Sequence, residues 1–194
     1  MTEKQVIEEI IHFSKLSYDG YLVTALGGNI SMKFQDKIYI TATNVSLHDV
    51  TEADIVICDL DGNPLPDQYC TLKPSKEIGM HSLVYKLRPE CDSVVHVHPP
   101  YLTAFTIKKR PIPMVSGAAM MKLIDVPTIG FAWSGTPELF ENIRTAFSNA
   151  KEGVKNFALE AHGSLSFDKG LRMAFNGAEL AEDTAKMAYF AENL

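Results

Sequence analysis

Two histidines, His96 and His98, stand one residue apart in the run Ser93-Val94-Val95-His96-Val97-His98. If that run is a strand, its two-residue period places both imidazoles on one face, close enough to grip a single metal ion. Val94, Val95 and Val97 around them are apolar and Pro99-Pro100 closes the run, so the strand reads as half buried. Buried imidazoles need partners, which a divalent cation supplies. Two unrelated polar side chains on a solvated face would give the same letters.

A catalytic metal site needs a third protein ligand and an open position for substrate. The remaining histidines are His12, His48, His81 and His162. His12 falls among charged residues of a helix and reads as a surface group, and His48 sits in a loop. His162 ends the apolar run Phe157-Ala158-Leu159 and precedes Gly163, where a strand end can aim a side chain into a cleft. Glu77 and His81 lie four apart on one helical face, as a solvated pair or as parts of a site. A cupin-type site would want a Glu soon after the pair, where Pro99, Pro100, Tyr101 and Leu102 stand instead. A carbonic-anhydrase-type site would want its third His nearer than His162.

A second set of residues suits an anion. Gly27-Gly28-Asn29-Ile30-Ser31 precedes a strand, and its backbone N–H groups can converge on a phosphate or merely form a tight turn. Thr41-Ala42-Thr43-Asn44 and Pro74-Ser75-Lys76 add hydroxyls and one cation at other segment ends.

The elements that must position these groups follow from periodicity. Val6, Ile7, Ile10 and Ile11 predict a helix over 3–18, ended near Gly20. Strands are expected over 29–34, 37–41 and 54–60, the last closed by Asp61-Gly62-Asn63-Pro64. A helix opens near Ser75, its expected N-cap, and stops before Pro89. After strand 93–98, a short helix carries Leu102 and Phe105. Strands are expected over 126–131 and 156–167, a helix from Pro137 to about Ala150, and a last helix from Leu171 to Phe190. Strands cluster and do not strictly alternate with helices. The expected fold is therefore an α/β protein of the α+β type, with a mainly antiparallel mixed sheet flanked by helices in a single domain over 1–194.

Composition sets outer limits. The 194 residues suffice for one core, with 46% apolar and 22% charged residues, which excludes a disordered or collagenous chain. Lys+Arg total 18 against Asp+Glu 24, and the net charge of -6 argues against nucleic acid as a partner. No secretory signal and no apolar run of roughly 20 residues is evident, so a cytoplasmic protein without a membrane partner is expected. Cys58, Cys70 and Cys91 are odd in number and lack a C-x-x-C pair, so reduced and mostly buried thiols are expected.

The segments GGNIS, ITATN, DIVICDLDG, KPSKE followed by H-x-x-x-Y, RPECDSVVHVHPPY and EAHG occur in an order and spacing that resembles the class II aldolase/adducin family, over essentially the whole chain. The resemblance implies a metal-dependent sugar-phosphate aldolase. Such an enzyme reversibly cleaves a ketose phosphate, of the L-fuculose 1-phosphate kind, to dihydroxyacetone phosphate and an aldehyde through a metal-stabilised enediolate. It implies that His96, His98 and His162 bind Zn²⁺, or another divalent ion such as Mn²⁺ or Co²⁺. Glu77 would complete the coordination and serve as catalytic acid/base, with His81 behind it, orienting it. Gly28, Asn29, Thr43 and Ser75 match positions that hold the substrate phosphate, and Asn44 and Lys76 adjoin them. A homotetramer with active sites between subunits is also implied.

The sequence departs from that pattern at Asn44, where the aldolases usually have Gly, and at Lys76, where they usually have Ser. Gly117 stands where a Tyr proton donor is expected, and Tyr101 or Tyr189 are the available substitutes. The chain runs 32 residues past His162, short of the longer tail that carries a catalytic Tyr in some members. A decarboxylase, dehydratase or epimerase acting on a sugar-acid or pentulose phosphate is the alternative, followed by an adducin-like interaction module without catalysis. Retention of Glu77, His96, His98 and His162 argues against the module.

Overall fold

In a computed structural model that describes residues 1–66 and 72–194, seven strands form one sheet in the order β3-β2-β1-β4-β7-β6-β5. The strands are β1 (Asn29–Phe34), β2 (Lys37–Thr41), β3 (Ile55–Cys58), β4 (Ser93–Val97), β5 (Thr128–Ile129), β6 (Asn156–Leu159) and β7 (Gly163–Asp168). The helices are α1 (Glu3–Asp19), α2 (Ile78–Leu87), α3 (Pro100–Ile107), α4 (Gly117–Lys122), α5 (Pro137–Asn149) and α6 (Leu171–Glu192). Every neighbouring pair is antiparallel except β5 with β6, which makes the sheet mixed as expected.

Alternation along the strands divides the core between the two faces. Val95 and Val97 of β4, with Ile30 and Met32 of β1, pack against Val6, Ile10 and Phe13 of α1 and Leu171, Ala174 and Phe175 of α6. Val94 turns the other way, with Ile40, Phe157 and Phe167, against Met80 and Val84 of α2 and Leu139, Ile143 and Phe147 of α5. The same period sends His96 to the α2 and α5 face. Asn29 is the register partner of His96, and Ser31 that of Val94, so those polar residues join it there. On that face Phe147 stacks on Phe157 at 4.5 Å between centroids. Full burial of such a side chain is worth ~1.5–3 kcal/mol.

Several expected boundaries move. The strand expected over 54–60 is confined to β3, because the Asp59 carboxylate accepts the Asp61 and Asn63 N–H groups and bends the chain out of the sheet. The strand expected over 126–131 shrinks to the two residues of β5, which pairs only with β6. The run 156–167 is two strands joined by a tight turn, with Ala161 at φ 53. Ser75 is not the cap of α2. Glu77 occupies that position, and its own N–H donates to Ser75 Oγ at 3.2 Å. Helix α4 was not anticipated; Ser116 caps it by accepting from the Ala119 N–H.

Helix α5 starts where Thr136 Oγ1 accepts the Leu139 N–H at 3.3 Å while donating to the Trp133 carbonyl at 2.7 Å. Thr136→Ala is therefore expected to lower unfolding stability by ~1 kcal/mol, read from the denaturant midpoint. Cys58 and Cys91 are buried, as the composition suggested, and burial pushes the Cys91 thiol up to about 11. Cys70 lies outside the described residues.

Candidate metal centre

Strand β4 carries His96 into the sheet at zero exposure, and the Ser164 carbonyl of β7 lies 2.8 Å from its Nδ1. A carbonyl only accepts, so Nδ1 bears the hydrogen and Nε2 is the nitrogen turned to the site. His98 lies just past the strand, where its N–H donates to the Leu22 carbonyl at 2.9 Å. His162 comes from the β6–β7 turn, its N–H donating to the Leu159 carbonyl at 3.1 Å. Gly163 follows because that turn crosses β4 at close quarters: a side chain there would collide with the Val97 carbonyl.

The three rings enclose a small space, with centroids 4.9 Å apart for His96 and His98, 4.7 Å for His96 and His162, and 5.0 Å for His98 and His162. Glu77 enters from the start of α2. Its Oε2 is 3.0 Å from His96 Nε2 and its Oε1 is 3.3 Å from His162 Nε2. Nε2 of His98 lies 3.0 Å from that of His96. One donor atom from each of the four residues lies within 4.8 Å of the others. Residues far apart in sequence thus converge on the one face to which alternation along β4 points.

Electrostatics favour ligand forms of these groups. Burial opposes a charge on Glu77, but His96, the Ser134 hydroxyl and His162 outweigh it and hold the carboxyl well below the usual range. Burial, then the charge on His96, pushes His98 down to about 3 and His162 down to about 4, so both are neutral imidazoles. His96 is also opposed by burial, yet the adjacent Glu77 carboxylate raises it. Neutral imidazole nitrogens and one carboxylate fit a divalent ion of the zinc, cobalt or manganese kind.

The remaining expected residues fall into three groups. The backbone N–H of His81 donates to the Glu77 carbonyl at 3.4 Å, but its imidazole is not directed at the Glu77 carboxylate. It reaches Asn29 instead, with Nε2 2.6 Å from Asn29 Oδ1, while Asn29 Nδ2 donates to Glu77 Oε2 at 2.8 Å. Asn29, expected at the phosphate, therefore also holds Glu77. The second group is brought together by backbone pairing: the Thr43 N–H donates to the Lys73 carbonyl and the Ser75 N–H to the Thr41 carbonyl, so segments 41–44 and 73–76 run side by side. The Ile30 N–H donates to Thr41 Oγ1, tying in the loop of Gly28 and Asn29. Gly28 has φ 78, and a methyl there would stand 2.9 Å from the His96 carbonyl oxygen. Ser75 is buried, Thr43 is half buried, and Asn44 and Lys76 are exposed.

The third group lies elsewhere. His12 is exposed on α1, and exposed His48 pairs with Asp49 at 2.7 Å and packs on Tyr18. Tyr101 and Tyr189 pack on each other at 5.6 Å between α3 and α6. Ser134 was missed: it lies between β5 and α5 and donates to Glu77 Oε1 at 2.5 Å. No local pattern marks it, because only the packing of α5 on the sheet carries it to Glu77.

The fold and the site define a mixed-sheet protein in which one Glu and three His are gathered as candidate ligands for a metal ion. A family profile described as Class II Aldolase and Adducin N-terminal domain matches residues 8–189, and the chain belongs to this family. It is 31% identical over 188 residues to the L-fuculose phosphate aldolase of Methanococcus maripaludis strain S2, covering 97% of this chain and 98% of that one. It is 29% identical over 188 residues to the L-fuculose phosphate aldolase of Escherichia coli K12, covering 95% of this chain and 80% of that one. A solved L-fuculose 1-phosphate aldolase superposes with a TM-score of 0.86 at 30% identity, covering all of this chain and 89% of its own.

Proposed function

We propose that this protein is a metal-dependent sugar-phosphate aldolase. It would cleave a ketose 1-phosphate of the L-fuculose kind to dihydroxyacetone phosphate and an aldehyde. The observation that carries this reading is the convergence of Glu77, His96, His98 and His162 within 4.8 Å, in a chain similar to L-fuculose phosphate aldolases over nearly its full length. His96, His98, His162 and Glu77 would hold the ion, zinc by preference. When bound, a divalent ion supplies Lewis-acid stabilisation for negative charge developing on substrate oxygens.

The chain's own groups do the rest. Glu77, ionised and buried, would take and return the proton at the carbon of the dihydroxyacetone phosphate fragment. The Gly28, Asn29, Thr43, Asn44, Ser75 and Lys76 segments would receive the phosphate, with backbone N–H groups and Lys76 supplying the positive field that the -6 net charge does not.

The setting proposed is a cytoplasmic homotetramer of single-domain subunits. Among the described residues no helix is long and apolar enough to cross a membrane. Met120 and Met121 of α4 are 61% and 77% exposed, in keeping with subunit contact, whereas Met114 packs against the core beneath α4.

The test is incubation of metal-loaded protein with ketose 1-phosphates, pentulose phosphates and sugar-acid phosphates, with products identified. Dihydroxyacetone phosphate and an aldehyde are expected, abolished by chelator and restored by zinc, manganese or cobalt. Release of carbon dioxide would move the assignment to a decarboxylase, and no turnover of any of these compounds would overturn the enzyme reading. Within this reading Ser134→Ala removes a donor to the Glu77 carboxylate. Loss of a bond made to the charged form raises a carboxyl pKa, so the acidic limb of the pH–rate profile is expected to move to higher pH.

A further inference from the structure

Behind Glu77, four further polar side chains continue into the core in a line. The Tyr85 hydroxyl is 2.7 Å from Ser31 Oγ, which is 2.7 Å from His81 Nδ1. His81 Nε2 is 2.6 Å from Asn29 Oδ1, and Asn29 Nδ2 is 2.8 Å from Glu77 Oε2. Ser31 and His81 are wholly inaccessible, and Asn29 and Tyr85 nearly so.

Donor chemistry sets the direction of every bond. The Glu77 carboxylate can only accept, so Asn29 presents its NH₂ group to it. The Asn29 carbonyl then faces His81, and Nε2 must carry the hydrogen. The imidazole of His81 is wholly buried between two neutral partners, Asn29 and Ser31, a setting that disfavours a charge, so its Nδ1 is bare and accepts the Ser31 hydroxyl hydrogen. Ser31 Oγ in turn accepts from Tyr85. Reversing any one bond would set two donors or two acceptors face to face inside the core, at the cost of a buried unsatisfied group.

We propose that Tyr85, Ser31, His81 and Asn29 form a one-way hydrogen-bonded chain that positions the Glu77 carboxylate in the metal centre. In it Tyr85, Ser31 and His81 act as positioning residues through Asn29. Aligned bonds polarise one another, so the donor reaching Glu77 is stronger than an isolated amide. The chain is complementary to the ionised carboxylate, and it fixes one oxygen of a side chain whose other oxygen is fixed by Ser134. The alternation of β1, which puts Asn29 and Ser31 on one face, and the four-residue spacing of His81 and Tyr85 on α2 bring the links into register.

This inference rests on the reading of Glu77 as the proton-transfer group of a metal centre, and its test separates the two. His81→Leu, His81→Gln and Tyr85→Phe are compared with the parent in two measurements. One is Mn²⁺ affinity by calorimetry, and the other is kcat and KM for proton exchange on dihydroxyacetone phosphate in metal-loaded protein. His81→Leu is expected to lose ~10–100-fold in Mn²⁺ affinity and in kcat, as removal of outer partners of metal ligands does, with KM little changed. His81→Gln, whose amide still offers Asn29 a donor, is expected to recover most of both, which a role in packing alone would not produce. Tyr85→Phe deletes one oxygen, keeps the ring, and is expected to lower kcat about three-fold, the scale of one net hydrogen bond.

Equal losses in His81→Leu and His81→Gln, or parent values in His81→Leu, overturn the chain. If the His81 variants do not fold, parent values in Tyr85→Phe overturn it. A parent protein that binds Mn²⁺ but exchanges no proton overturns the functional reading, and the Mn²⁺ affinities of the variants still decide the chain.

Discussion

Glu77→Gln is expected to keep bound metal while losing proton exchange on dihydroxyacetone phosphate by ~10²–10⁴-fold, the scale of a positioned general base. The substitution preserves shape. The glutamine oxygen can accept from Asn29 Nδ2, which lies 2.8 Å from Oε2, and the amide can face Ser134, whose hydroxyl rotates to accept. The three imidazoles are untouched, so the ion stays bound when metal is supplied in excess, although loss of the carboxylate lowers its affinity. What disappears is the carboxylate of the cluster, and with it the group assigned to take a proton from carbon and return it. Deuterium exchange followed by NMR, with metal content measured on the same sample, checks both halves. Exchange at the parent rate would remove Glu77 from the mechanism.

His96→Ala is expected to show the converse behaviour, loss of the metal itself. His96 is the most enclosed ligand, at zero exposure, and its Nε2 is 3.0 Å from both the Glu77 carboxylate and His98 Nε2. Its removal opens a cavity between β4 and α2 and leaves the Ser164 carbonyl without the Nδ1 hydrogen at 2.8 Å. It also takes from Glu77 the partner that most favours its charge. Because even outer partners of metal ligands are worth ~10–100-fold in affinity, loss of this central ligand is expected to exceed ~100-fold. Metal content after dialysis reads the result, with the exposed His12→Ala as the control that keeps its metal. Retention of a full equivalent at parent affinity would show that the three-histidine cluster is not the binding site.

Much of this centre was legible in local spacing. His96 and His98 share a face because a strand repeats every two residues. β1 and β2 begin and end where turn residues and alternation place them. The ends of long-range elements were less legible. β5 is two residues long because it pairs on only one side, and the run 156–167 breaks because Ala161 adopts a left-handed turn. Neither fact is written in the hydrophobicity of the segment. Ser75 looked like a helix cap from its type, yet its hydroxyl serves the backbone of Glu77, which takes the cap position with its side chain turned to the histidines.

The sequence by itself determined the fold class, the face on which His96 lies, and, through family resemblance, the four residues that meet there. Periodicity and turn chemistry are local, and each acts over a few residues of chain. Only the tertiary structure decided what surrounds Glu77. Asn29 at 48 residues' separation, Ser134 at 57, and the His81 imidazole meeting Asn29 and not the Glu77 carboxylate are set by strand register and by the seating of α2 and α5 on the sheet. Those choices give the buried polar groups around Glu77 partners from distant segments, a condition no short stretch of sequence can express.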